Sequence, residues 1–285
     1  MEIIDSIVEL RHYLDSKRAE RMSIGLVPTM GALHEGHAEL VKESVRSCDL
    51  TACSIFVNPT QFNNPDDLLK YPKQLEKDLE LLTMVGCDVV FIPSVDEMYP
   101  DQEKTITINF GQLENLLEGA FRPGHFSGVG VVVSKLLNVV QPDLAFFGQK
   151  DLQQLAVIRK LVKDLNIQSK IVSVPTVREK SGLAMSSRNL RLSEREAVVA
   201  ANLYRVIDSV KTKILAGEQV LSGLTSAKVE LEKIEGIELE YLDIVNSDTM
   251  SKVEELSEAL NISICLAAYV GGVRLIDNLY IKQEN

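Results

Sequence analysis

The 285-residue sequence is notable first for what it lacks. No apolar run approaches the ~20 residues that a bilayer-spanning helix needs. The opening residues, Met1-Glu-Ile-Ile-Asp5, lack the basic and apolar regions of a signal peptide. Cysteine is scarce: Cys48, Cys53, Cys87 and Cys265 show no Cys-x-x-Cys spacing and sit in apolar or helical surroundings. That pattern argues against a disulfide framework or a thiolate metal site and predicts buried free thiols in a reducing compartment. Basic residues are in deficit, with 30 Lys plus Arg against 41 Asp plus Glu, for a formal net charge of −11. Such a balance argues against nucleic acid or an anionic membrane as the main partner, while a local cluster can still hold a small anion. Internal repeats and low-complexity tracts are absent too. The chain reads as a cytoplasmic protein working on small molecules.

What is present is a globular composition, 45% hydrophobic and 25% charged, at a length suiting one large domain or two ordinary ones. Residues 3–21 carry Ile3, Ile7, Leu10 and Leu14 at helical spacing. Buried strands are predicted at Ile24–Val27, Leu50–Val57, Cys87–Ile92, Leu144–Phe147 and Lys170–Val174. Helical segments are predicted at 66–85 (broken near Tyr71-Pro72) and at Asp151–Leu165. Gly128–Val140 looks strand-like, but its apolar positions 129, 132, 133, 136, 137 and 140 follow helical spacing. Pro93–Gly119 is mixed and yields no element. Alternating strands and helices imply a parallel sheet covered on both faces, with ligands bound beyond the carboxyl ends of the strands. After Val177 the texture changes. A polar linker (178–189) precedes Ser193-Glu-Arg-Glu196, which has capping-box spacing and opens a helix to about Ala216. A second helix (218–234) and strands at 239–245, 262–270 and 273–277 complete a small α+β portion, with Gly271-Gly272 as hairpin turn.

The chemistry-bearing residues gather at strand ends. Ile24 to His37 reads as a strand, a Gly-containing loop and a helix opening near Gly36, with His34 and His37 at the junction. A helix start offers unpaired N–H groups and the positive end of its dipole to an anion such as phosphate. An imidazole there donates a hydrogen bond whether neutral or cationic. Histidines three apart also fit a metal pair, but no third ligand is evident nearby and the helix start suits phosphate better. Phe56-Val-Asn58-Pro-Thr-Gln61-Phe62 places two amides at a strand end, either as a turn or as a grip on a small polar substrate. Phe121-Arg122-Pro-Gly-His125-Phe126-Ser-Gly128 is a candidate loop over a site. In Gly148-Gln149-Lys150-Asp151-Leu-Gln-Gln154, Asp151 suits an N-cap and Gln154 completes its box. Lys150 opposes the helix dipole there unless an anion lies between them. Met185-Ser186-Ser187-Arg188-Asn189 is either a polar linker or a phosphate clamp.

His34-Glu-Gly-His37 resembles the His-x-Gly-His signature of the nucleotidyltransferase superfamily, and Met185-Ser-Ser-Arg188 is similar to that superfamily's second phosphate-binding loop. Together with Pro28–His37, Phe56–Phe62, Phe121–Val129, Gly148–Gln154 and Pro175-Thr-Val-Arg-Glu, they resemble the pantoate–β-alanine ligase family along nearly the whole chain. The resemblance implies a Rossmann-like doubly wound parallel sheet binding ATP and pantoate (1–180) and a smaller α+β lid domain (181–285). It implies ATP-dependent joining of (R)-pantoate to β-alanine through a pantoyl adenylate, releasing pyrophosphate and AMP, in a homodimer. ATP would be bound by Met30, Gly31, Ala32, Leu33, His34, Glu35, Gly36, His37, Gly148, Gln149, Lys150, Asp151, Val177, Met185, Ser186, Ser187 and Arg188. Gln61, Gln154, Asn58 and Arg122 would serve pantoate and β-alanine, and Mg²⁺ would accompany ATP near Asp78. His37, His34, Lys150 and Arg188 would be the catalytic groups, stabilising charge during attack on the α-phosphate. Position 149 departs from the family, in which many members carry an acid. The competing readings are an adenylyltransferase of the same superfamily acting on a phosphorylated substrate, and a non-catalytic nucleotide sensor.

Overall fold

The computed structural model describes residues 1–63, 65–101 and 106–282. They form two compact units, Met1–Gly148 with Val157–Val174, and Gln149–Ala156 with Pro175 onward.

The first unit is built on a six-stranded, wholly parallel sheet in the order β1-β4-β3-β2-β5-β6. The strands are β1 (Glu2–Ile4), β2 (Ile24–Thr29), β3 (Leu50–Ile55), β4 (Val89–Phe91), β5 (Leu144–Gly148) and β6 (Lys170–Val174). Its helices are α1 (Ile7–Ala19), α2 (Glu35–Ser47), α3 (Pro65–Leu69), α4 (Leu75–Met84), α5 (Val95–Met98), α6 (Leu117–Phe121) and α7 (His125–Val140). Helix α8 (Leu152–Asp164) follows, its first residues belonging to the other unit. Strand β3 is buried at all six positions, as expected of a parallel strand covered on both sides. One face packs Val27, Cys53, Ile55 and Val90 against Leu40 and Val41 of α2 and Leu82 of α4. Helix α7, which packs on β2 and α1, buries all six of its valines.

The sheet order reverses between β2 and β5, the topological switch point at which doubly wound folds bind ligands. The two strands pair only at Gly25–Leu144 and Leu26–Ala145. Beyond that, β2 continues with β3 to Thr29–Ile55, and β5 with β6 to Gly148–Val174. Pro28 has no N–H to give to a ladder, so the parting of β2 and β5 suits its residue. The loop after β2 (residues 30–34) starts at this parting.

The second unit is antiparallel: β7 (Ile237–Asn246), β8 (Ile262–Val270) and β9 (Val273–Lys282) in sequence order, backed by α9 (Glu194–Leu215) and α10 (Val220–Glu232). Gly271 and Gly272 form the predicted β8–β9 turn at φ 57° and 73°. That pair of left-handed values defines the tight turn compatible with strand twist.

Three sequence expectations need correction. The segment 3–21 is not one helix: Glu2–Ile4 is an edge strand and the helix starts at Ile7. Three residues are too short to show alternation, and Ile3 is exposed. The helix expected over Gly128–Val140 starts earlier, at His125, behind Gly124 in a left-handed conformation. Asp151 does not stand outside α8 as an N-cap but closes a 3-10 turn, Gln149–Asp151, that runs into the helix. Within the mixed stretch 93–119, residues 102–105 lie outside the described residues, and the rest supplies α5, a 3-10 turn (Gly111–Glu114) and the first part of α6. No described cysteine is bonded to another, and burial pushes the Cys87 thiol up to about 12 and Cys48 to about 11. Among the described residues no helix is long and apolar enough to cross a membrane.

Candidate active site

In the first unit the site residues hang on the loop between β2 and α2. Asp78 on α4 reaches across to accept the backbone N–H of Ala32 (2.9 Å) and of Leu33 (2.7 Å). Ala32 stands at φ 50°, a left-handed conformation that costs a non-glycine residue about 1–2 kcal/mol. The two bonds hold it there. Asp78 is 2% exposed, and burial raises its pKa against the lowering effect of the loop N–H groups. Its carboxylate therefore has a defined task, fixing the loop, rather than the metal-ligand role expected of it. Among the described residues no group of three or more His, Cys, Asp or Glu is arranged to hold a metal.

The loop ends in a reciprocal capping box made of imidazoles. His34 is the N-cap of α2 in extended conformation (φ −140°), and its Nδ1 accepts from the N–H of Gly36 at 3.1 Å. His37 Nδ1 in turn accepts from the N–H of His34 at 3.3 Å. The ring centroids lie 4.1 Å apart. A nitrogen that accepts an N–H bond carries no proton, so in each neutral ring the proton sits on Nε2. Two Nε2–H donors and a helix N-terminus thus occur together, a set that stabilises negative charge. Exposed Glu35 pairs with Lys42 (2.7 Å).

The second strand-end element is the 3-10 turn Pro59–Gln61 after β3. Asn58, 1% exposed, commits both of its N–H bonds, to Gln61 Oε1 (3.1 Å) and to the Gly128 carbonyl (3.3 Å). Its oxygen accepts from Tyr99 Oη (2.8 Å) and Thr60 Oγ1 (3.0 Å). The carbonyl of Gly128 can only accept, which fixes the orientation of the amide. Asn58, expected among the substrate contacts, is instead the buried post that aims Gln61. The Gln61 Nε2 rests on Met30 Sδ at 3.0 Å, a weak acceptor that a carboxylate can outcompete. His125, 5% exposed, donates through Nδ1 to the Gln61 carbonyl at 2.8 Å. A Cβ on Gly128 would stand 2.3 Å from the Thr60 carbonyl oxygen, so only glycine lets α7 approach this turn. Arg122, expected on substrate, lies 3.6 Å from nearly buried Glu118. Gly148 ends β5 where an added Cβ would meet no described atom within 4 Å, so packing does not require the glycine.

In the second unit, Gln149 and Lys150 are held from the C-terminal strand. Asn278 on β9 donates to the Gln149 carbonyl (3.0 Å) and the Lys150 carbonyl (2.8 Å), and accepts from Gln149 Nε2 (3.3 Å). Neighbouring Asp277, 4% exposed, forms a two-pronged pair with Arg178 (2.6 and 2.9 Å). Burial pushes the Asp277 carboxyl up and Arg178 opposes the rise. The guanidinium also stacks 4.0 Å from the Tyr204 ring centre. Val177 and Met185 face each other across a small hairpin, with the Met185 N–H donating to the Val177 carbonyl at 3.0 Å. Ser186 caps the 3-10 turn Ser187–Arg191, its Oγ accepting from the Arg188 N–H (3.3 Å), and Asn189 ties that turn to Glu179 (2.8 Å). The segment expected as a polar linker is an internally bonded hairpin and turn. Gln154 lies half-buried in the first turn of α8.

Three supporting residues escaped the sequence reading, Tyr99, Asp277 and Asn278, while Arg178 entered it only within Pro175-Thr-Val-Arg-Glu and without a task. Asp277 and Asn278 left a trace, because consecutive Asp and Asn are poor strand formers between Leu275-Ile276 and Leu279-Tyr280 of β9.

The geometry can be set beside known proteins. Residues 2–280 match the family model described as pantoate-beta-alanine ligase. The chain is 49% identical over 279 residues to a pantothenate synthetase of Cytophaga hutchinsonii, covering 98% of each chain. It is 47% identical over 285 residues to one from Bacteroides thetaiotaomicron, covering 99% of this chain and 100% of the relative. The fold is similar to a crystal structure of pantothenate synthetase from Thermus thermophilus, with a TM-score of 0.92, 40% identity, and coverage of 99% and 100%. A pantoate-beta-alanine ligase from Francisella tularensis, solved with beta-gamma ATP and beta-alanine, gives a TM-score of 0.82 at 39% identity, covering 99% of this chain and 98% of that one.

Proposed function

The chain belongs to the pantoate–β-alanine ligase family, and from that premise we propose how its residues divide the reaction. The enzyme joins pantoate to β-alanine with ATP. The pantoate carboxylate attacks the α-phosphorus, the bond to the bridging oxygen breaks, and pyrophosphate leaves. The β-alanine amine then attacks the acyl carbon of pantoyl adenylate. The amide forms, the C–O bond to AMP breaks, and the amine gives up a proton. Phosphoryl chemistry of this kind needs positioned reactants and charge stabilisation rather than a covalent enzyme intermediate.

In this reading the Nε2–H groups of His34 and His37 and the α2 N-terminus meet the ATP phosphates, with His37 as proton donor. Lys150 and Arg188 add positive charge where it develops on the phosphates. Gly148 to Asp151, Val177 and Met185 to Ser187 serve the nucleotide. Gln61 grips pantoate through the amide N–H groups now on Met30 Sδ, and Gln154 and Arg122 complete its contacts. Residues 1–180 carry nucleotide and pantoate binding, and 181–285 act as a lid. Mg²⁺ enters as companion of the ATP phosphates, the usual habit of an ion that keeps few protein ligands. Among the described residues no group of three or more His, Cys, Asp or Glu forms a cage for it, and no step is assigned through it. A cytoplasmic homodimer with small-molecule partners alone, and no nucleic acid or membrane partner, is part of the proposal.

The observation that carries the reading is the imidazole capping box, because it fixes two N–H donors at a helix start. The test is pantoate-dependent exchange of labelled pyrophosphate into ATP without β-alanine, with AMP appearing once β-alanine is added. Exchange is expected. Its absence with Mg²⁺ present would end the ligase reading, and exchange that depends on a phosphorylated acceptor would favour the adenylyltransferase.

A further inference from the structure

We propose that Asn278, near the C-terminal end of the chain, is a positioning residue for the nucleotide step, acting through Lys150. Its polar groups are all committed within one network. The side-chain N–H groups hold the carbonyls of Gln149 and Lys150, at 3.0 and 2.8 Å. The side-chain oxygen takes the Gln149 amide at 3.3 Å. Its backbone N–H donates to Asp277 Oδ1 (2.7 Å) and its carbonyl accepts from Arg178 Nη2 (3.2 Å). Asn278 is 2% exposed and neighbouring Asp277 4%, while the Arg178 side chain paired with Asp277 is 16% exposed. The two carbonyls leave the amide one orientation, since neither can donate.

The consequence concerns Lys150. A 3-10 turn of three residues, Gln149–Asp151, is too short to fix its own backbone, and its two carbonyls are the groups that Asn278 takes up. The backbone from which the Lys150 side chain springs is therefore set by β9, 128 residues away. The network also explains how Gln149 is used here, because its amide donates to the Asn278 oxygen. The same bonds account for the grouping of Gln149–Ala156 with the second unit although β5 immediately precedes it.

This inference rests on the assignment of Lys150 to the ATP phosphates, and a double-mutant cycle separates the two. In pyrophosphate exchange, Asn278→Asp replaces both donors by an acceptor facing two carbonyls, and is expected to lower kcat/KM for ATP by ~10-fold through misplacement of Lys150. Lys150→Ala alone is expected to lower it by ~10²-fold. Introduced into Lys150→Ala, Asn278→Asp should cost clearly less than its ~10-fold loss in the wild-type background, because the main group it positions is gone while Gln149 remains. Asn278→Ser, which offers a single hydroxyl in place of the amide and adds no charge, runs the same cycle if the aspartate variant does not fold, with circular dichroism as the check. A full and additive loss in the Lys150→Ala background would overturn the positioning role while leaving Lys150 in place. Near-wild-type exchange by Lys150→Ala would overturn the assignment of Lys150, and the positioning role with it.

Discussion

Two helices of this protein open with reciprocal capping boxes at the same spacing, and they differ in the chemistry of the side chains that make the box. At α9, Ser193 and Glu196 spend their polar atoms on each other: Glu196 Oε2 accepts from the Ser193 N–H and Oγ at 2.7 Å, and Ser193 Oγ accepts from the Glu196 N–H at 3.4 Å. At α2, His34 and His37 cap through Nδ1 alone, at 3.1 and 3.3 Å. An imidazole has a second nitrogen, so the cap and a donor for a ligand coexist in one ring. The α9 box is a device for stability. The α2 box performs the same backbone service with rings whose second nitrogen is a donor.

The sharpest way to break the comparison is to put the α9 chemistry into α2. His34→Ser/His37→Glu restores the Ser-x-x-Glu box, so the melting temperature should stay near that of the wild type. Pyrophosphate exchange should nevertheless fall by ~10²-fold or more, as when transition-state donors are removed, with the added carboxylate opposing the phosphates. Retained exchange would show that the helix start alone suffices.

A smaller effect is expected one layer below the imidazoles, where Asp78 holds the loop that delivers them. Asp78→Ala leaves the N–H groups of Ala32 and Leu33 without their acceptor and should destabilise the protein by about 1–3 kcal/mol, read from the urea midpoint. The loss also depends on pH. Burial raises the Asp78 carboxyl above its ordinary range, so the native state binds the proton more tightly than the unfolded chain does. Its contribution is then fullest below the unfolded pKa of about 4 and declines as pH rises through the native one. The gap between wild type and Asp78→Ala should widen from pH 7 toward pH 4. A gap that narrows over that range would show that the loop N–H groups, rather than burial, dominate the Asp78 titration.

The comparison also explains what the sequence could disclose. Ser193-Glu-Arg-Glu196 was legible as a helix start because its residue types cap helices everywhere. His34-Glu-Gly-His37 was legible as chemistry, not as a capping box, since histidine is not a usual cap. Parallel strands such as Leu50–Ile55 were readable from continuous burial, whereas Glu2–Ile4 is too short for any period to show. Candidate site residues could be found wherever they sat together in a run. What supports them could not: Asp78 lies 45 or 46 positions from the loop it holds, Tyr99 41 from Asn58, and Asn278 128 from Lys150. Such pairings exist only once the strands are in register, and for that reason Asn58 read as a substrate contact and Asp78 as a metal neighbour.

The mildest test is at α9 itself. Ser193→Ala removes a cap on an exposed helix start, where neither Ser193 nor Glu196 has a role in the reaction. Helix caps of this type are worth ~1 kcal/mol, so the unfolding free energy read from urea denaturation should fall by that amount while pyrophosphate exchange stays within ~2-fold of wild type. The residual Glu196 carboxylate still favours the helix dipole and retains the Ser193 backbone N–H as a partner, which keeps the loss at the lower end. If exchange fell with stability here as steeply as in the α2 variant, the two boxes would not differ in kind. Activity would then be reporting global stability, and the separate standing given to the imidazole pair would be lost.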